Sequence, residues 1–367
     1  MANPSPGRND RCWCGSAKKF KQCHNEREKM QPLRSDQIDA CFRKIYSEEY
    51  CLHPDAPAQC SPAFINSHTV QNHGQLDRIS ENGHVVGVDR SSYLNYSKGC
   101  LPFVRIGVND ASTHRCFCEK HDNETFKPIE KSGFQFTSEQ CFLLGYRAVC
   151  RGVYLIRQQL KTVSLLRELD RGKPLVQQHR IQESASDLEK KLQATQEVFE
   201  RTKRIYDDVL RARNFGEVAI FAIELGRVPD ILGSNVFLPP CDFTGTQLQS
   251  LAIDSKIDVL TFSLIATPGN GGTAVFGWHR QHDNACRAFV DSLRKLPESE
   301  VPHAITRLVF SFCENSYLSP AWWNGLPAAT REALQQRFLD GTRGHDNHTL
   351  IDDGVRAVNW MVSGFHE

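Results

Sequence analysis

The chain has 367 residues, enough for two or more domains that bury sizeable cores. Its 44 basic and 43 acidic residues leave a formal charge of +1, which excludes a molecule that binds nucleic acid over its whole surface and leaves room only for local contacts. Fourteen cysteines, no apolar leader after Met1 and no apolar run near about 18 residues predict a cytoplasmic protein without membrane spans, in which clustered cysteines hold metal and scattered ones are small buried hydrophobes.

The first predicted element is a zinc knuckle over residues 1–30. Cys12 and Cys14 precede a turn at Gly15, and Cys23-His24 bring the chain back with one thiolate and one imidazole, a set suited to a closed tetrahedral zinc site. A bound ion would fold a segment too small to build its own core. Seven Lys/Arg stand against three acids here, so positive charge gathers around the turn. Gly7-Arg8-Asn9-Asp10-Arg11-Cys12-Trp13-Cys14-Gly15-Ser16, followed by Lys18-Lys19-Phe20-Lys21-Gln22-Cys23-His24, closely resembles the SEC-C motif, the knuckle at the C-terminus of the SecA translocation ATPase. That resemblance implies a docking module for a SecB-type chaperone, a ribosome or nucleic acid, and names no reaction. Trp13 stands where the motif often has proline.

Residues 36–50 read as a short amphipathic helix with Ile38, Cys41, Phe42 and Ile45 at helical spacing. The stretch after it, within a predicted domain over 36–136, is rich in Cys, His, Asn and Gly. Cys51 and Cys60, then Cys118 and His121, have the spacing of a second zinc site, with the second pair at the start of a helix that Pro128 should limit. His53 and Cys116 are rival ligands.

Between these pairs lie Ile65-Asn66-Ser67-His68-Thr69-Val70 and Ile79-Ser80-Glu81-Asn82-Gly83-His84. With the final Cys-x2-His-Asp-Asn they resemble the zinc-stapled HNH endonucleases, which implies a treble-clef (ββα-metal-like) fold. The resemblance implies His68 as general base, Asn82 as its orienter with His84 as the alternative, and Asp122 or Asn123 as ligand of a catalytic Mg²⁺ or Mn²⁺. Ser67 replaces the acid that many such sites carry, and the long gap from Asn82 to Cys118 implies an insertion around 89–110. The stretch from Cys51 to Arg147, with Glu314-Asn315 and Trp322-Trp323, is also similar to a group of uncharacterised bacterial proteins, which implies one continuous architecture and no mechanism.

Residues 137–213 read as a helical hairpin. Cys141, Phe142, Leu143, Tyr146, Val149, Cys150 and Tyr154 trace one face, continuing raggedly to Leu169; Gly172-Lys173-Pro174 interrupts it, and a second helix follows over 181–213. Fifteen Lys/Arg against nine acids over 147–213 suit a solvated face as well as a phosphate track. Residues 214–367 read as an α+β domain. Its predicted strands are 218–223, 236–238, 257–265 and 273–278, the last two a hairpin around Pro268-Gly-Asn-Gly-Gly272, and its predicted helices are 282–293, 302–314 and 328–339. The glycine run suits a turn better than a phosphate cradle, His279-x2-His282-Asp283 and His345-Asp346-Asn347-His348 suit solvated surface better than metal, and Trp322-Trp323 suits a helix anchor better than a base-stacking platform.

The whole is an α+β chain with four parts, and two functions fit it. One is a metal-dependent HNH-type nuclease effector cutting DNA or RNA, in a bacterial defence or toxin setting, recruited through its knuckle. The other is a non-catalytic zinc adaptor for a chaperone, ribosome or nucleic acid.

Overall fold

The structure, a computed structural model of the chain, describes residues 6–89, 101–251, 256–343 and 349–367. The His345/His348 cluster and half of the insertion expected around 89–110, residues 90–100, lie outside them. In chain order the elements are α1 (Ser35–Tyr46), β1 (Ser67–His68), the single turn α2 (Asp77–Ile79), β2 (His84–Val88), β3 (Phe103–Gly107), β4 (Thr113–His114) and α3 (Glu119–Glu130). Two long helices follow, α4 (Ser138–Glu168) and α5 (Leu175–Ala212). Then come β5 (Val218–Leu225), β6 (Ile231–Phe237), β7 (Leu260–Thr267), β8 (Gly271–His279), α6 (Asp283–Arg294), α7 (Val301–Phe312), β9 (Ser316–Leu318), α8 (Pro320–Gly325), α9 (Ala328–Arg343) and β10 (Val362–His366).

The chain divides into two compact units. Of the described residues, the first unit takes those up to 48 and 155–197; the second takes 49–89, 101–154 and everything from 198 on.

In the first unit the apolar stripe of α1 supplies Ile38, which packs with Leu165 near the end of α4; Leu33, Phe42, Leu166 and Leu169 close around them. Pro174 ends the turn after α4, and its carbonyl accepts from the amides of Gln177 and Gln178. The second long helix therefore starts at Leu175, six residues earlier than the apolar pattern suggested, because the polar run Gln177-Gln178-His179-Arg180 separates Leu175-Val176 from Ile181.

The second unit is built on an antiparallel sheet in the order β10-β5-β8-β7-β6-β9-β2-β3. Strands β5, β7 and β8 read as nearly unbroken apolar runs because both of their faces are covered: Phe276 packs with Phe289 of α6, while its neighbour Val275 packs with Cys141 of α4. Helix α4 comes close to the sheet at two glycines. A Cβ on Gly152 would lie 2.4 Å from Val236 Cγ1, and one on Gly145 2.9 Å from Thr261 Oγ1, so only glycine permits this approach. The β7-β8 hairpin turns at Pro268–Asn270, as its glycines suggested.

Three differences from the sequence reading have local causes. Strands β2 and β3, from the segment read as a separate zinc-stapled domain, join the same sheet as β5–β8 through the three-residue β9, where Val86 pairs with Leu318. Helix α3 runs through Pro128 to Glu130, because a proline in the last turn forfeits a single backbone bond. Finally, β6 extends back to Ile231 across Gly233-Ser234-Asn235, whose small and polar side chains hide a buried strand.

Candidate metal centres

The N-terminal knuckle is a small ribbon closed by two backbone ladders. The amides of Cys12 and Phe20 donate to the carbonyls of Lys18 and Asp10, both at 2.8 Å, and that of Lys21 donates to Arg8 at 3.0 Å. This register sets Arg11 against Lys19 and leaves Arg8, Arg11, Lys18, Lys19 and Lys21 exposed. A 3-10 turn over Phe20–Gln22 then delivers Cys23 and His24 back to Cys12 and Cys14.

Ligand atoms of these four residues lie within 4.8 Å of one another. His24 Nδ1 is 3.2 Å from Cys12 Sγ and 3.1 Å from Cys23 Sγ, and Cys14 and Cys23 sulfurs are 3.5 Å apart. Burial pushes the Cys12 thiol up to about 12. Burial also works against the Cys14 thiolate, yet hydrogen bonds from the Ser16 hydroxyl and backbone bring it down to about 7, so this sulfur is ready to take a metal. Three thiols and an imidazole this close, with the far nitrogen of the imidazole held by a carboxylate, fit a tetrahedral zinc ion. That carboxylate is Asp170, in the turn after α4: His24 Nε2–H donates to its Oδ2 at 2.8 Å. No sequence signal marks it.

The second quartet is Cys51, Cys60, Cys118 and His121, again with ligand atoms within 4.8 Å. Cys51 and Cys118 sulfurs lie 3.3 Å from His121 Nδ1 and that of Cys60 lies 3.6 Å away. Helix α3 does the positioning. Cys118 is its N-cap and His121 sits in its first turn, where the helix dipole favours a thiolate. The loop carrying the first pair is pinned to it by Leu52 N–H to the Cys116 carbonyl at 2.9 Å, Glu119 N–H to the Ala63 carbonyl at 2.9 Å and Lys120 N–H to the Ser61 hydroxyl at 3.1 Å. The rival residues lie outside the quartet: His53 stacks flat on His121, ring centroids 4.0 Å apart, and Cys116 is buried.

The residues that the nuclease resemblance implies have mixed placements. His68 ends β1, which pairs with β4 in a two-stranded ribbon ahead of α3. Its Nε2–H donates to the Val108 carbonyl at 3.3 Å, and the Val108 amide donates to Gly83, so the Asn82-Gly83-His84 turn comes close to it. Asn82, His84 and Asn123 are exposed; Asn82 has φ +49°, and His84 Nδ1–H donates to the Asn82 carbonyl at 2.8 Å. Asp122 is buried, accepts a bond from the Ser67 hydroxyl and lies 3.9 Å from the Arg147 guanidinium. Burial raises the Asp122 carboxyl above its usual range against the pull of Arg147.

The knuckle's donor set and closed turn define a metal-binding module. Residues 8–26 match the family model described as the SEC-C motif, which is associated with zinc. No curated protein and no solved structure matches the chain. Among the described residues no helix is long and apolar enough to cross a membrane.

Proposed function

We propose that the protein is a zinc-dependent cytoplasmic adaptor whose SEC-C knuckle docks an acidic macromolecular surface, on a ribosome, another nucleic acid or a SecB-type chaperone. What supports this reading is the ribbon itself. Metal closure holds five exposed cations, Arg8, Arg11, Lys18, Lys19 and Lys21, on one short two-stranded segment, in a chain whose total charge is only +1. Thiolate ligand sets persist where thiols stay reduced, which agrees with the cytoplasm. The test is sedimentation with ribosomes and co-elution with a SecB-type chaperone at low salt, using wild-type protein and Cys12→Ser. Binding lost in the variant supports docking through the knuckle. Equal binding by the two, or none by either, removes it.

A second reading, the HNH-type nuclease, is favoured by His68. Burial holds its pKa below the usual range, so it is neutral near pH 7, and with Nε2–H committed to Val108 its Nδ1 keeps a lone pair for a proton. Zinc on the second quartet would staple the ribbon and helix in a treble-clef arrangement around it. The adaptor stands ahead because the carboxylate assigned to Mg²⁺ or Mn²⁺ already faces a resident cation, the buried Arg147. Cleavage of single- and double-stranded DNA and RNA that requires Mg²⁺ or Mn²⁺ and disappears in His68→Ala would reverse this order.

A further inference from the structure

Among the described residues, the knuckle's buried acidic partner comes from outside the motif. Asp170 is completely buried and accepts from three donors: His24 Nε2–H at 2.8 Å, Gln182 Nε2–H at 2.7 Å and Arg27 Nε–H. Gln182 also donates to the Arg167 carbonyl at 2.8 Å, which ties the last turn of α4 to the start of α5 around the same carboxylate. The backbone closes the contact, since the Gly172 amide donates to the Arg27 carbonyl at 3.1 Å. A Cβ on Gly172, which has φ +70°, would meet the Met30 carbonyl at 2.8 Å. Trp13, between the two first ligands, stacks on His179 of α5 with centroids 3.6 Å apart and 19° between planes.

We infer that Asp170 is a positioning residue for the knuckle's metal: it fixes His24 as the Nδ1 ligand, so that metal binding and closure of the helical hairpin form one coupled event. The physical reason is the tautomer. A neutral imidazole has one N–H and one lone pair, and a carboxylate holding the N–H at Nε2 turns the lone pair at Nδ1 towards the sulfurs 3.1 and 3.2 Å away. Arg27 Nε–H on its Oδ1 and Gln182 Nε2–H on its Oδ2 hold that carboxylate aimed at His24. The knuckle is therefore not an autonomous tag, because its fourth ligand is oriented from a position 146 residues along the chain.

The test is a double-mutant cycle on the full chain, read by chelator competition for zinc and by the visible spectrum of the cobalt-loaded protein. Loss of one metal equivalent in Cys12→Ser first establishes that the knuckle binds metal, so a failure there is separate from a failure of the inference. Asp170→Asn should then weaken zinc binding at the knuckle by about 10- to 100-fold and shift its cobalt bands. In a His24→Cys background, whose fourth ligand has no tautomer to fix, Asp170→Asn should have no further effect. An unchanged affinity in folded Asp170→Asn overturns the inference. So does a loss of the same size in both backgrounds, since that marks Asp170 as a general structural support.

Discussion

Neutralising Lys18, Lys19 and Lys21 to glutamine tests the docking face most sharply, because the size of the effect follows from the number of cations. If all five exposed cations of the ribbon contact phosphates of single-stranded RNA, the log-log salt slope is about −3.5, taking roughly 0.7 per contact. Affinity then falls about 100-fold between 50 and 200 mM salt. The triple variant keeps Arg8 and Arg11, so its slope should shrink to about −1.4 and its loss over the same range to about sevenfold. Fluorescence anisotropy with labelled RNA, at four or five salt concentrations and with zinc-loaded protein, measures both slopes. These values are upper limits, since a ribbon cannot turn both edges fully to one partner. A triple variant with the wild-type slope would place the contact elsewhere and refute the argument; a slope near zero in the wild type would remove phosphates as the partner.

Two further perturbations test the second unit. Gly152→Ala forces a Cβ to within 2.4 Å of Val236 Cγ1, so despite a helix-propensity gain of about 1 kcal/mol it should destabilise the unit by roughly 1–3 kcal/mol, and Val236→Ala should recover part of this; urea midpoints no lower than wild type would refute the close approach. His282 is buried at the start of α6, 3.5 Å from Asp258, and burial holds its pKa below the usual range. The unfolded chain therefore binds the extra proton below about pH 6.5, so stability is complete above that pH and falls as the pH drops towards the folded value. His282→Gln should lose less stability than wild type between pH 7 and 5.5, and equal losses in thermal unfolding would show that His282 does not contribute.

The sequence made legible what is local or periodic. Cys12, Cys14, Cys23 and His24 share thirteen residues, and ligand chemistry constrains them whatever surrounds them. The runs of β5, β7 and β8 announce themselves because both faces are apolar. The illegible parts depend on partners distant in sequence. Strand β9 is three residues long, β10 reads Val-Ser-Gly-Phe-His, and both become strands only by pairing with β6, β2 and β5. His53 and Cys116 carry ligand chemistry equal to that of the four that converge, and the pinning of the 51–60 loop to α3 decides between them. Asp170 is one acid in a charged turn, Glu168-Leu169-Asp170-Arg171, and nothing nearby in the sequence distinguishes it from its half-buried neighbours.

The two quartets solve one problem in two ways, and the difference bears on what each ion does. Each must hold an imidazole so that Nδ1 meets three sulfurs. At the second quartet the solution is local: Cys118 and His121 are three residues apart across the first turn of α3, and the ring lies against His53. An ion there fastens the 51–60 loop to a helix that already sets half of the geometry. At the knuckle the ribbon is too short to orient its own histidine, and the orientation comes from Asp170. An ion there joins segments far apart in the chain. Metal exchange at the second quartet should therefore disturb one loop and one helix end, whereas exchange at the knuckle should be felt in the basic ribbon and in the turn between α4 and α5 together. That coupling makes the knuckle the better placed of the two to link metal occupancy with partner binding.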